Sequence, residues 1–229
     1  MKIGGLQKVS LIDYPGAICA IVFSQGCNFK CGYCHNPELV DPERFGQCID
    51  EKKIMEFLAT RRGKLDAVSI TGGEPTIQKD LLGFVKKIKK MGFAVKIDTN
   101  GSQPQVLKDL LKAKLLDFIA MDVKAPLAKY KDITRASVDT ELIRESIGAI
   151  LKAQIPQEFR TTVVEAQLNG DDIIEISKMI SGASSYVMQK FIPTKALNKK
   201  YLKEKSLSDD ELEQLKKRIE KEIASVIVR

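Results

Sequence analysis

Six short apolar runs, each followed by a longer stretch of helical periodicity, constrain this chain more than any other feature. The runs AICAIVFS (17–24), DAVSI (66–70), FAVKID (93–98), DFIAMD (117–122), EFRTTVV (158–164) and SYVMQKF (185–191) have the β-branched and aromatic content of buried strands. Amphipathic patterns near 50–62, 78–91, 103–114, 138–153 and 171–181 predict the intervening helices. A last helix, from about 208 to 228, opens with Ser208 and Glu211 at capping-box spacing. Strand–helix alternation of this kind predicts an α/β fold with a parallel sheet, either doubly wound or a partial barrel. A closed eight-unit barrel takes about 250 residues. Six units in 229 residues therefore suit a partial, TIM-like (β/α)6 barrel, and no linker or low-complexity stretch divides the single domain expected over 1–229.

In both parallel architectures ligands gather at the carboxyl ends of the strands. Here those ends read Ser24-Gln25-Gly26, Thr71-Gly72-Gly73-Glu74-Pro75, Asp98-Thr99-Asn100-Gly101, Asp122-Val123-Lys124 and Phe191-Ile192-Pro193, a set rich in glycine, carboxylate and lysine. Each also has an ordinary explanation. A glycine pair can simply turn the chain, Glu74 can complement a helix dipole, and charges at strand ends are usually solvated.

The first strand end opens the loop 25–37, which holds Cys27, Cys31, Cys34 and the only histidine, His35. The three thiols have the spacing of a helical stripe, but Gly26, Asn28, Gly32, Asn36 and Pro37 make the segment a poor helix. A loop can turn three sulfurs toward one point. Zinc with His35 as a fourth ligand is one use of them, although closed zinc sites usually draw a second ligand pair from farther along the chain. Covalent haem would use Cys31 to His35 and leave Cys27 unexplained. An iron–sulfur cubane held at three corners would keep one iron open for chemistry. Cys19 lies mid-strand and reads as core, while Cys48 has no partner at ligand spacing.

The spacing C-x3-C-x2-C, with Tyr33 just before the third cysteine, resembles the signature of the radical S-adenosylmethionine (radical SAM) superfamily. That resemblance implies a [4Fe-4S] cluster on Cys27, Cys31 and Cys34 whose open iron chelates the amino and carboxylate groups of S-adenosyl-L-methionine. TGGEP (71–75) is similar to the family's GGEP motif, whose backbone binds the methionine amino group. DTNG (98–101) and MDVK (121–124) resemble segments of the glycyl-radical activase branch, and Arg160 falls where similar activases carry an arginine near the cofactor. The resemblance thus implies a cofactor pocket of Tyr33, Gly72, Gly73, Glu74, Pro75, Asp98, Asn100, Asp122, Lys124 and Arg160. It sets Asp98, Asp122 and Lys124 at the methionine end, with a monovalent cation as an optional guest. Where some activases have a histidine this chain has Ile192 or Pro193, which leaves the adenine and ribose contacts unspecified.

The front end, GGLQKVSLIDYPG followed by QGCNFKCGYCHNPELV, resembles the activating proteins of anaerobic ribonucleoside-triphosphate reductase, relatives of the pyruvate formate-lyase activases. This implies reductive cleavage of the cofactor to a 5′-deoxyadenosyl radical, which takes hydrogen from a glycine of a partner glycyl-radical enzyme. A low-potential electron donor such as flavodoxin or ferredoxin would complete the system. In such a scheme the cofactor carries the difficult chemistry, so no protein acid, base or nucleophile is named. A radical enzyme acting on a small molecule or RNA base, and a zinc-binding interaction module, are the alternatives. The net charge of +7 is spread along helices with 6% aromatics, which disfavours a nucleic-acid partner. No stretch approaches the roughly 20 apolar residues of a membrane span, and the first ten lack a signal-peptide core, so the expected place is the cytoplasm.

Overall fold

The computed structural model describes residues 1–229. Eight strands form one sheet in chain order: β1 (Ile3–Ser10), β2 (Cys19–Ser24), β3 (Ala67–Gly72), β4 (Ala94–Thr99), β5 (Phe118–Asp122), β6 (Gln157–Val163), β7 (Tyr186–Lys190) and β8 (Val226–Val228). β1 runs antiparallel to β2, all later neighbours are parallel, and β1 and β8 remain as edges of an open sheet. The helices are α1 (Pro37–Val40), α2 (Glu51–Ala59), α3 (Leu81–Lys90), α4 (Pro104–Lys112), α5 (Tyr130–Thr134), α6 (Thr140–Leu151), α7 (Gly170–Met179) and α8 (Asp209–Ile219). The expected six-unit partial barrel is the stretch from β2 to α8.

Strand alternation sends Val68, Ile70, Val95, Ile97, Ile119 and Met121 toward the helices, where they meet Leu58, Phe84, Leu107 and Ile147 in a cluster of 48 buried residues. Each such large apolar side chain contributes about 1.5–3 kcal/mol on burial. On the opposite, concave face, Cys19, Ile21 and Ala67 pack against Tyr14 and Ala17 of the β1–β2 hairpin. Cys19 is thus core, as its place in the sequence suggests. Farther along the same face the side chains turn polar: Lys96 and Asp98 on β4, Asp122 on β5, Arg160 on β6.

Two strands are absent from the sequence-based expectation. β1 escapes a periodicity search because Gly4 and Gly5 weaken its strand pattern and its outer half is exposed. The last helix ends at Ile219 and not near 228. Its capping box is present as expected, with Ser208 and Glu211 satisfying each other's ends. Beyond it, Gly182 N–H donates to Glu222 O at 2.9 Å and Ala224 N–H to Ala183 O at 3.1 Å, which turn the chain back toward β7. The β-branched run Val226-Ile227-Val228 then adds to the β7 edge in register with Tyr186-Val187-Met188.

Removing Val226–Arg229 strips β7 of its outer partner and exposes the pocket that Val226 fills at 5% exposure. One buried valine and the lost ladder bonds together predict a loss of about 2–5 kcal/mol. Denaturant unfolding is the measurement; an unchanged midpoint would show that β8 contributes nothing.

Candidate functional site

The cysteine loop and the TGGEP turn are joined by their backbones. Gly73 N–H donates to Ser24 O at 2.9 Å, Glu74 N–H donates to Gly26 O at 2.9 Å, and Gly26 N–H donates to Leu39 O at 2.8 Å. Glycine is required at both turns. Gly26 and Gly72 have φ of +103° and +117°, and a Cβ on Gly73 would overlap the Gly26 carbonyl. The glycine pair therefore serves first to let two loops touch. An ammonium group only donates hydrogen bonds, so carbonyl oxygens of the turn are the backbone atoms suited to it.

This junction sets Cys27, Cys31 and Cys34 on the wall of one cavity of about 250 Å³. The segment between them is irregular, as the glycine and asparagine content predicts. Burial is the first cause of a raised pKa at all three thiols, pushing Cys27 up to about 12 and Cys31 up to about 11, with Cys34 raised in the same direction. Phe29 N–H donates to Cys27 Sγ at 3.4 Å, and Asn100 Nδ2 stands 4.0 Å from the same sulfur. Asn100 also donates to Asn28 Oδ1 at 3.0 Å, and Asn28 to Ser102 Oγ at 2.8 Å, so the loop is tied to the end of β4. A soft donor set of three thiols on one wall fits a cluster.

Of the three cysteines and the ten residues expected in the cofactor pocket, all but Pro75 line this cavity. Pro75 instead opens a short 3-10 turn with Glu74 as its cap. Glu74, 1% exposed, accepts from Thr76 N at 3.0 Å, from Thr99 Oγ1 at 2.8 Å and from Asn100 N at 2.6 Å. It is a clamp between β3 and β4, and this role, not a helix dipole, accounts for its burial. Burial raises its pKa while these donors oppose the rise. Tyr33 is 4% exposed and its Oη has no partner in the protein. Its ring meets Phe191 and Tyr201 edge-on at centroid distances of 6.4 and 6.3 Å.

The cavity floor is a chain of charges, not a set of solvated strand ends. Lys96 pairs with Asp98; Arg160 Nη1 lies 3.4 Å from Asp98 and its Nε 2.9 Å from Asp122; Lys124 Nζ lies 3.1 Å from Asp122. Asp122, held by Arg160 and Lys124 against its burial, falls to about 2, and both cations are raised in turn. All four carboxylate oxygens face a side-chain cation. Thr162 and Gln189 also line the cavity and Lys96 pairs with Asp98 behind it; none is singled out from the sequence, although Lys96 and Thr162 lie two residues along their strands from Asp98 and Arg160 and so share their faces.

His35 is exposed at the cavity edge, stacked on Phe191 at 5.3 Å and 5°. Its Nε2–H donates to the Ile192 carbonyl at 2.9 Å. The ring thus packs over the region where the sequence left contacts unspecified. Cys48 lies away from the three thiols, its Sγ 3.2 Å from Gln25 Oε1.

The radical SAM superfamily model matches residues 21–180. A Methanocaldococcus jannaschii protein named for glycyl-radical enzyme activation is 36% identical over 99% of this chain and 95% of its own length. A GTP 3′,8-cyclase of Pyrococcus horikoshii is 30% identical over 80% of this chain and 59% of that enzyme. Among solved structures, Streptococcus suis SuiB bound to precursor peptide SuiA shares the fold, with a TM-score of 0.68 and 16% identity over 90% of this chain and 47% of SuiB.

Raised thiol pKa values in the empty protein make alkylation of Cys27 and Cys31 climb about tenfold per pH unit from roughly pH 7 to 10, because the thiolate is the nucleophile. Site-resolved mass spectrometry, with exposed Cys48 as internal reference, measures this; a plateau by about pH 8.5 would contradict the burial argument. Gly73→Ala should cost about 1–3 kcal/mol and reduce retained iron, since backbone cannot yield as a side-chain end can. Gly83→Ala, in α3 with open space around it, should leave both unharmed.

Proposed function

The chain belongs to the radical SAM superfamily, a family of enzymes, and from that premise we propose that it activates a glycyl-radical enzyme, with anaerobic ribonucleoside-triphosphate reductase as the partner. Membership implies a [4Fe-4S] cluster and S-adenosyl-L-methionine. One observation carries the proposal further than membership: the likeness to the Methanocaldococcus jannaschii activating protein runs nearly end to end in both chains. The cyclase likeness is lower and takes in 59% of that enzyme.

In this proposal Cys27, Cys31 and Cys34 hold the cluster, which with its cofactor supplies one-electron cleavage of a sulfonium carbon–sulfur bond. The protein's share is orientation and electrostatics. In the chain Lys96–Asp98–Arg160–Asp122–Lys124, Arg160 and Lys124 line the cavity and offer cations suited to a cofactor carboxylate. These charges are fixed by one another and need little rearrangement when a zwitterion arrives. Carbonyls of the Gly72–Gly73 turn would receive the amino group. The Glu74 clamp holds that turn against β4, and Asn100 steadies the Cys27 side of the loop. The open face of the sheet leaves room for a glycine-bearing segment.

Mixing the reduced, cluster-loaded protein and S-adenosyl-L-methionine with candidate glycyl-radical enzymes should give a glycyl signal in electron paramagnetic resonance. Cys31→Ala should abolish it. Deoxyadenosine formed only on adding GTP, with every candidate partner silent, would favour a small-molecule radical enzyme instead.

A further inference from the structure

The segment after β7 lies directly on the outside of the cysteine loop. Asn198 N–H donates to Gly32 O at 2.9 Å, and the Tyr201 ring packs so tightly over Gly32 that a Cβ there would overlap it. Gln167 Nε2 fixes the Tyr201 hydroxyl at 2.7 Å. On the other flank Lys30, within the loop itself, donates its N–H to Thr134 O at 2.8 Å and so joins the loop to α5. These two attachments bring two groups of cations to the chain that carries the thiols.

Lys199, Lys200 and Lys203 stand on the first flank, Lys30, Lys131 and Arg135 on the second, and all six are exposed. None forms an ion pair within 4 Å, although exposed Asp132 shares a surface hollow with Lys131 and Arg135, whereas nearby Lys190, Lys195 and Lys205 pair with Asp209, Glu38 and Glu165 at 2.7, 2.6 and 3.0 Å. Unpaired like charges repel one another, so their gathering around one loop costs stability that a partner of opposite sign would recover. None of the six lines the cavity. A segment entering the cavity therefore does not need them, and they remain free for a partner that approaches the loop from outside. Exposed Leu202, at 42%, lies between Lys200 and Lys203, and exposed Ile192, at 59%, follows Phe191, whose ring meets Tyr201; they supply apolar surface of the kind protein interfaces use. No Phe or Tyr is among the exposed large hydrophobic residues, so His35 is the one exposed ring beside this surface, far short of the succession of rings on which single-stranded RNA stacks.

We propose that the outer flanks of the cysteine loop, marked by these six cations, form the docking surface for an acidic one-electron donor protein. The inference rests on the loop holding a redox-active cluster, and it does not depend on which partner receives the radical. The step balances simply: the donor's reduced group is oxidised by one electron, the cluster is reduced by one, and no bond or proton moves. Charge complementarity at such a site sets the encounter rate and makes it sensitive to salt.

The test uses the cluster-loaded protein and reduced flavodoxin, an acidic donor, in stopped flow at low ionic strength. The triple change Lys199→Glu, Lys200→Glu, Lys203→Glu and the double change Lys30→Glu, Arg135→Glu should each lower the second-order rate of cluster reduction by about tenfold or more. The unaltered protein's rate should fall as salt rises. Reduction by dithionite, a small reagent, should stay within about twofold in every variant, which also shows that the variants are folded and loaded. Flavodoxin rates that match the unaltered protein would overturn the proposal. So would a flavodoxin rate unchanged while dithionite-driven glycyl-radical formation is lost, which gives the surface to the radical-accepting enzyme, or while binding of a transfer RNA probe is lost. Failure of the activase proposal alone would appear differently, as normal cluster reduction with no glycyl signal on any partner.

Discussion

Everything at the site depends on two hydrogen bonds between backbones, Gly73 N–H to Ser24 O and Glu74 N–H to Gly26 O. They join the ends of β2 and β3 where a parallel sheet would otherwise leave two independent loops. Only glycine permits the approach, because the Gly73 Cβ position is filled by the Gly26 carbonyl. The three thiols reach one cavity wall because their loop starts from this fixed junction.

The second requirement is a polar floor within an apolar sheet. Burying isolated charges costs more than a domain's whole stability, and burying them in pairs roughly breaks even. The chain from Lys96 to Lys124 meets that condition by giving each carboxylate two cations. Such an arrangement adds little to stability compared with an apolar filling, so its presence at the strand ends is an expense of function. Glu74 belongs to the same logic: its buried carboxylate is tolerated because backbone and hydroxyl donors surround it.

The core of the fold was legible in the sequence because β2 to β7 bury most of their length and carry short β-branched and aromatic runs, with the polar residues gathered toward the carboxyl ends. β1 and β8 were not. One hides behind paired glycines, and the other is three residues long and takes its meaning only from the open edge of β7. At the site, the strand-end rule and the motif resemblance together pointed to the cavity, and of the three cysteines and ten cofactor-pocket residues they named, all but Pro75 line it. Pairwise chemistry lay beyond them. Nothing in the spacing shows that Lys96 serves Asp98, that Glu74 faces β4, or that His35 lies flat on Phe191, since each contact joins segments that only the folded sheet brings together.

The most direct measurement is the iron and sulfide content of the anaerobically reconstituted protein, followed by the spectrum of its reduced form before and after S-adenosyl-L-methionine is added. A cubane on three thiols predicts about four iron and four sulfide per chain and a reduced-cluster signal that changes shape when the cofactor binds the open iron. Stoichiometric zinc without sulfide, or a cluster whose spectrum ignores the cofactor, would contradict the account.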